Sequence, residues 1–214
     1  MDMRKMSETV KENTFDIEHA LDILKRGGTI VFPTETLYGL GALSTNKIAV
    51  EKVYQIKRRP KEKLLPVIVG SMEQVQEYFS LGRDDIKLAK KFWPGPLSLI
   101  LRTKSNKLID ALGNDLLAVR LSANPLAVKL SLHSGAPLIS TSANISGRPG
   151  CFTIAAVKRQ LASLKRPEQP DLFIDGGALN KSQPSTIVRT NKGKLSLIRE
   201  GKIQFKEIVE ALKS

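Results

Sequence analysis

The stretch Thr29-Ile30-Val31-Phe32-Pro33-Thr34-Glu35-Thr36-Leu37-Tyr38-Gly39-Leu40-Gly41-Ala42 decides how the rest of the chain is read. An apolar, β-rich run ends on a proline, and threonines, an acid, a tyrosine and two glycines follow. Ile30 and Val31 read as a buried strand, and Pro33 cannot continue one except at an edge or an end. The chain is therefore expected to leave the strand at Pro33 and to lay Thr34, Thr36 and Tyr38 along a loop. Gly39 and Gly41 permit a sharp turn or a close approach to a ligand. Polar loops that follow buried strands are where α/β proteins commonly place their sites. A plain strand-to-helix connection is the alternative reading of such a loop taken alone.

Working outward, residues 16–26 place Ile17, Ala20, Leu21 and Leu24 at helical spacing and stop at Gly27-Gly28. Asn46 is a cap residue for a second helix expected to carry Ile48, Val50, Val53, Tyr54 and Ile56 inward. That helix runs into Lys57-Arg58-Arg59-Pro60-Lys61-Glu62-Lys63, which Pro60 forces out of helix. Strands are predicted at residues 66–70, 97–102, 116–121, 137–139 and 172–175. Helices are predicted at 72–79, 84–92, 124–132, 153–164 and 203–212. Residues 184–189 and 195–199 pair as a hairpin across Asn191-Lys192-Gly193. Strands and helices interleave without linker or repeat, so the fold class is α/β: a single domain with a mixed sheet. Residues 1–15 are set apart as an N-terminal extension and residues 16–214 as the domain.

Composition narrows the ligands. Of 214 residues, 34 are Lys or Arg against 21 Asp or Glu, a net charge of +13. Such a surplus favours polyanions: nucleic acid, nucleotide phosphates or an acidic membrane surface. A single cysteine, Cys151, excludes an internal disulfide and a cysteine zinc cluster. No apolar run is long enough to span a membrane, and the charged first residues lack the apolar core of a signal peptide. A cytoplasmic protein with no membrane partner is expected.

No Walker-type phosphate loop is present, and Gly39-Leu40-Gly41 lacks the third glycine of a dinucleotide fingerprint. The only histidines, His19 and His133, lie far apart in predicted helices, which argues against a Ser/His/Asp triad or a histidine metal site. What remains is cations, hydroxyls and polar loops. Lys57, Arg59 and Lys63 follow a helix, on a segment kept irregular by Pro60. Ser140, Ser142 and Asn144 alternate after a buried strand and can project into one cleft; a turn or helix cap is the bland alternative. Arg120 lies in a strand otherwise made of Leu, Ala and Val, where it needs an anionic partner, either a protein carboxylate or a ligand's. Arg199 ends the final strand. These parts suit phosphoryl or nucleotidyl transfer, in which cations neutralise phosphate oxygens and the site aligns the attacking group.

An ordered set of blocks resembles a known family. Pro33-Thr34-Glu35-Thr36 with Tyr38-Gly39-Leu40, Lys57-x-Arg59-Pro60, Trp93-Pro94-Gly95-Pro96-Leu97, Ala118-Val119-Arg120, Ser140 through Gly147, and Pro184-Ser185-Thr186-Ile187 look like the YrdC/TsaC family of L-threonylcarbamoyl-AMP synthases. The resemblance runs from about residue 16 to residue 203 and looks like the short, single-domain form. It implies an α/β twist fold, a twisted mixed sheet flanked by helices with a basic concave face. It implies that ATP, L-threonine and bicarbonate give threonylcarbamoyl-AMP and pyrophosphate, the first step of threonylcarbamoyladenosine modification of tRNA. By motif position, Lys57, Arg59, Ser142 and Asn144 are the implied catalytic set. They line the ATP site with Lys63 and Arg199, while Thr34, Tyr38, Arg120, Ser140 and Ser185 surround threonine. Mg²⁺ is implied with ATP, held mainly by phosphates and water rather than by a protein cage. A downstream threonylcarbamoyl-transferase complex is the implied partner, and tRNA or double-stranded RNA is a candidate partner for the basic face. The chain departs from the family pattern at Leu64, at Ser122-Ala123-Asn124-Pro125 and at Gly150. A competing reading is a non-catalytic RNA- or ribosome-binding module. The 5% aromatic content argues against a base-stacking platform.

Overall fold

The computed structural model describes residues 7–165 and 168–213. Eight helices and eleven strands are found among them, and their order follows the sequence reading with four elements added. Strand β1 (Glu8–Lys11) and a short 3-10 turn precede helix α1 (Ile17–Lys25) and strand β2 (Ile30–Phe32). Strand β3 (Gly39–Leu43), helix α2 (Lys47–Lys57), strand β4 (Val67–Val69) and helix α3 (Met72–Tyr78) come next. Then follow β5 (Phe79–Ser80), α4 (Arg83–Phe92), β6 (Leu97–Thr103), α5 (Asn106–Leu112), β7 (Leu116–Leu121) and α6 (Pro125–His133). The chain closes with β8 (Leu138–Ser142), α7 (Ile154–Leu161), β9 (Leu172–Asp175), β10 (Thr186–Asn191), β11 (Lys194–Arg199) and α8 (Phe205–Lys213).

Polar caps start the helices where the sequence placed them. The side chains of Asp16, Asn46, Asn124 and Thr153 accept from the backbone N–H of Glu18, Ala49, Ala127 and Ala156, each satisfying a donor that the first helical turn leaves open. The strands form one mixed sheet in the order β1-β9-β2-β3-β8-β4-β7-β6-β10-β11, with β5 beside β6.

The main correction concerns the stretch read first. Gly39 and Gly41 do not turn the chain; they lie in β3, paired antiparallel with β2 and with β8. They are glycines because the Phe32 ring lies across them: a Cβ on Gly41 would meet Phe32 Cε1 at 2.6 Å. Ser140 and Ser142 are likewise in strand β8, not in the loop after it. Residues 8–11, placed in the N-terminal extension, form β1 and pair in parallel with β9. Helix α5 and the two-residue strand β5 carry no signal in the sequence reading; Lys57 ends α2 rather than following it, and Ile48, expected inward on that helix, is 77% exposed.

Register places alternate residues on two faces. One face carries Val31, Leu40, Val67, Leu99, Val119 and Ile139, packed in the larger core with α2, α3, α4, α5, α7 and α8. The opposite face carries Ile30, Phe32, Leu43, Ile68 and Leu138 under α1 and α6. Those two helices cover only part of that face. Toward β6, β7 and β10 it continues into Ser98, Ala118, Arg120 and Ile187, which line an open cleft.

Candidate active site

The cleft holds about 180 Å³ and is walled by Thr34, Tyr38, Arg59, Arg120, Ser140, Ser142, Ser185 and Arg199, together with Ser98, Ala118 and Ile187. Eight of the eleven side chains singled out in the sequence therefore meet in one place. They arrive from the β2–β3 connection, the turn after α2, strands β7 and β8, and the β10–β11 hairpin. A wider basin of about 1130 Å³ adjoins it, sharing Thr34 and Pro184 and edged by Glu35, Lys181, Lys202 and Lys206.

Lys57, Asn144 and Lys63 are placed differently. Lys57 is buried, and its Nζ donates to the carbonyl oxygens of Ser142 and Asn144. The N–H of Ser146 returns to the Lys57 carbonyl at 2.8 Å. The end of α2 is thus tied to the turn after β8. Burial, reinforced by the Arg59 charge, pushes the Lys57 ammonium down to about 7. The Asn144 side chain folds onto its own turn, with Nδ2 donating to Ile145 and Arg148 carbonyls, while its buried Oδ1 has no partner. Lys63 is exposed and its backbone carbonyl accepts from Arg59 Nε at 2.9 Å.

Two of the cations in the cleft, Arg59 and Arg199, are fastened by neutral oxygens. Arg58 closes α2 in the left-handed region at φ 47, and the next residue, Arg59, donates to the Lys63 and Leu64 carbonyls. Arg199 donates to the Ser185 carbonyl at 2.7 Å and to its hydroxyl at 3.1 Å, and that hydroxyl bonds Ser98 Oγ at 3.0 Å. Among the described residues neither Arg59 nor Arg199 has a carboxylate partner. Burial lowers the pKa of both, and the charge of Arg59 adds to the effect on Arg199. Arg120 is depressed to about 10, mainly by burial and then by Arg199. Three partly desolvated guanidiniums therefore face the cleft, with Arg59 acting on Arg199 and Arg199 on Arg120.

Arg120 does have a carboxylate. Its Nη1 donates to Glu35 Oε1, and Ser122 Oγ donates to Glu35 Oε2 at 2.6 Å. Glu35 was missed as a site residue, although Arg120's demand for an anion was the signal that pointed to it. Two predicted hydroxyls are occupied locally. Thr34 Oγ1 donates to the Leu37 carbonyl at 2.7 Å and accepts from the Thr36 and Leu37 amides, which shapes the β2–β3 connection. Tyr38 Oη donates to the Gly177 carbonyl at 2.7 Å and accepts from the Gly176 amide at 3.0 Å. Its burial and the nearby Asp175 push the phenol up to about 12, so it stays a neutral strut.

Residues 22–201 match the Sua5/YciO/YrdC family model, described as "Telomere recombination". A threonylcarbamoyl-AMP synthase from Vibrio vulnificus is 33% identical over 192 residues, covering 87% of this chain and 98% of the relative. One from Bacillus subtilis is 33% identical over 210 residues, covering 97% of this chain but 59% of the relative. Among solved structures, Sua5 of P. abyssi complexed with L-threonine superposes with a TM-score of 0.83 at 30% identity, over 97% of this chain and 61% of that one. E. coli YciO superposes with a TM-score of 0.79 at 25% identity, over 95% of this chain and 100% of that one. This chain therefore spans the whole of some relatives and about three-fifths of others. The cleft lies on the uncovered part of a fold shared along nearly its full length with these proteins, and the chain belongs to the Sua5/YciO/YrdC family.

Proposed function

We propose that this chain is a nucleotidyltransferase, an L-threonylcarbamoyl-AMP synthase that joins ATP, L-threonine and bicarbonate and releases pyrophosphate. The observation that carries the reading is the row Arg59, Arg199 and Arg120 at one cleft, two of its three guanidiniums held only by neutral oxygens. Such an arrangement is costly when empty and favourable when a phosphate chain enters. The threonine-bound relative and the names of the synthases add to it.

The chemistry asks two things of these residues. The threonine amine bonds to the carbon of bicarbonate with loss of water, giving a carbamate. A carbamate oxygen then attacks the α-phosphorus of ATP, and the bond to the pyrophosphate oxygen breaks. Both steps gather negative charge, and fixed cations beside that charge lower the barrier. Arg59 and Arg199 are assigned to phosphate oxygens and Arg120 to the threonine carboxylate. Ser140 and Ser185 supply hydroxyls for the amino acid. Lys57 and Asn144 hold the turn that presents Ser142. Mg²⁺ enters with the nucleotide as part of the substrate.

The product would pass to a separate transferase complex acting on tRNA in the cytoplasm, with the basic surface available to RNA. Among the described residues no helix is long and apolar enough to cross a membrane. The test is pyrophosphate release with ATP, omitting threonine and bicarbonate in turn. Release that needs all three supports the reading. No release, together with tight binding of unmodified tRNA, would favour the non-catalytic RNA-binding alternative.

A further inference from the structure

Glu35 borders the wide basin and Arg120 lines the inner cleft, so their ion pair lies where the two cavities meet. Both side chains are largely buried, 16% and 8% exposed. The contact uses Arg120 Nη1 and one oxygen of Glu35, and Ser122 uses the other oxygen. Neither group is thereby exhausted. A guanidinium has five N–H donors, and a carboxylate has about four acceptor positions, two on each oxygen.

Glu35 is also an anomaly of sign. The charged side chains lining the inner cleft are Arg59, Arg120 and Arg199, and Glu35 meets Arg120 from the basin side; burial lowers the pKa of all three arginines, with Arg59 acting further on Arg199 and Arg199 on Arg120. An acid at this point weakens the hold on a simple anion, because it already neutralises the guanidinium that the anion would use. It does not weaken the hold on a zwitterion. An α-amino acid carries its ammonium and carboxylate a single carbon apart. Laid against the Glu35–Arg120 pair in the opposite sense, its carboxylate meets Arg120 and its ammonium meets Glu35. The two dipoles run antiparallel.

We propose that Glu35 is a specificity-determining residue that reads the α-ammonium of the incoming amino acid, so that the pocket selects zwitterions over plain carboxylates. The inference rests on the assignment of threonine to this cleft. It assigns Glu35 the counter-charge that Arg59, Arg120 and Arg199 cannot supply. In the absence of ligand, the same carboxylate keeps Arg120 from standing buried and uncompensated beside Arg199.

The test measures binding, not turnover. Calorimetry with the whole chain compares L-threonine with 2,3-dihydroxybutanoate of matching configuration, in which a hydroxyl replaces the ammonium. The wild-type protein should prefer threonine by about tenfold or more, the loss expected when a charged hydrogen-bond partner is removed. Glu35→Gln keeps the shape and removes the charge, and the preference should collapse by about the same factor. A purely structural Glu35 would weaken both ligands alike and leave their ratio unchanged, which would overturn the proposal. If Glu35→Gln does not fold, the wild-type ratio still decides: equal affinity for the two ligands overturns the proposal. A wild-type protein that binds neither ligand overturns the threonine assignment itself, a result distinct from a ratio that fails to respond.

Discussion

Two anions are assigned to Arg120. One is Glu35, 85 residues away in sequence, and the other is the proposed substrate carboxylate. Arg120→Ala should weaken threonine binding by tenfold to a hundredfold while changing ATP affinity little, since charged hydrogen bonds contribute about 1.5–3 kcal/mol. Arg120→Lys should recover only part of the loss, because an ammonium cannot reproduce the planar fork. Equal losses for both ligands in calorimetry would move Arg120 to the phosphate site. Lys57 makes a different prediction. Its ammonium, ordinarily at 10.5, is pushed down to about 7. Between those values the unfolded chain holds a proton that the folded chain has released, so stability rises with pH across that window. Lys57→Met should flatten the rise, read as the urea midpoint from pH 7 to pH 10. The same variant should cost activity about a hundredfold by loosening the turn after β8, a positioning loss rather than a lost ligand contact. The cations themselves were legible in the sequence as charges beside a proline or inside an apolar strand. What each one touches was not, because the Glu35 and Ser142 contacts exist only after distant strands have paired.

Among the elements, the helices other than α5 were the legible part. Apolar residues at helical spacing behind Asp16, Asn46, Asn124 and Thr153 gave their positions to within a few residues. Strands built from glycine, serine and charged residues were not legible. Gly39-Leu40-Gly41 carries the residues of a turn, yet its glycines answer to the Phe32 ring packed across β3. Strand β1 reads Glu-Thr-Val-Lys and is mostly exposed at the sheet edge, so it shows no apolar pattern to detect. Ser140 and Ser142 extend β8 because β3 pairs with them, a partner that the local sequence does not reveal. Gly41→Ala offers a direct check. Its added methyl meets Phe32 and the Ile139 carbonyl at 2.6 and 3.0 Å, so the variant should lose about 1–3 kcal/mol of stability in denaturant titration. An unchanged midpoint would mean that the Phe32 ring can move aside freely and that the glycine is not required by packing.

At the scale of the whole molecule, one sheet serves as both core and site. Six helices pack on one face and two cover part of the other, and the remaining part of that second face is the open cleft. The net charge of +13 then has a local expression in the guanidiniums that the uncovered strands and neighbouring loops bring together. That arrangement carries a consequence for turnover. On the proposed assignment to phosphate oxygens, Arg59 and Arg199 would retain a leaving group as well as receive an incoming one, since the departing diphosphate carries negative charge. Inorganic pyrophosphate should therefore compete with ATP and raise the melting temperature more than orthophosphate does at equal concentration, and added salt should diminish both effects. Progress curves should bend early and straighten when an inorganic pyrophosphatase is present. In that case the pace of the cycle is set by how quickly the cleft empties.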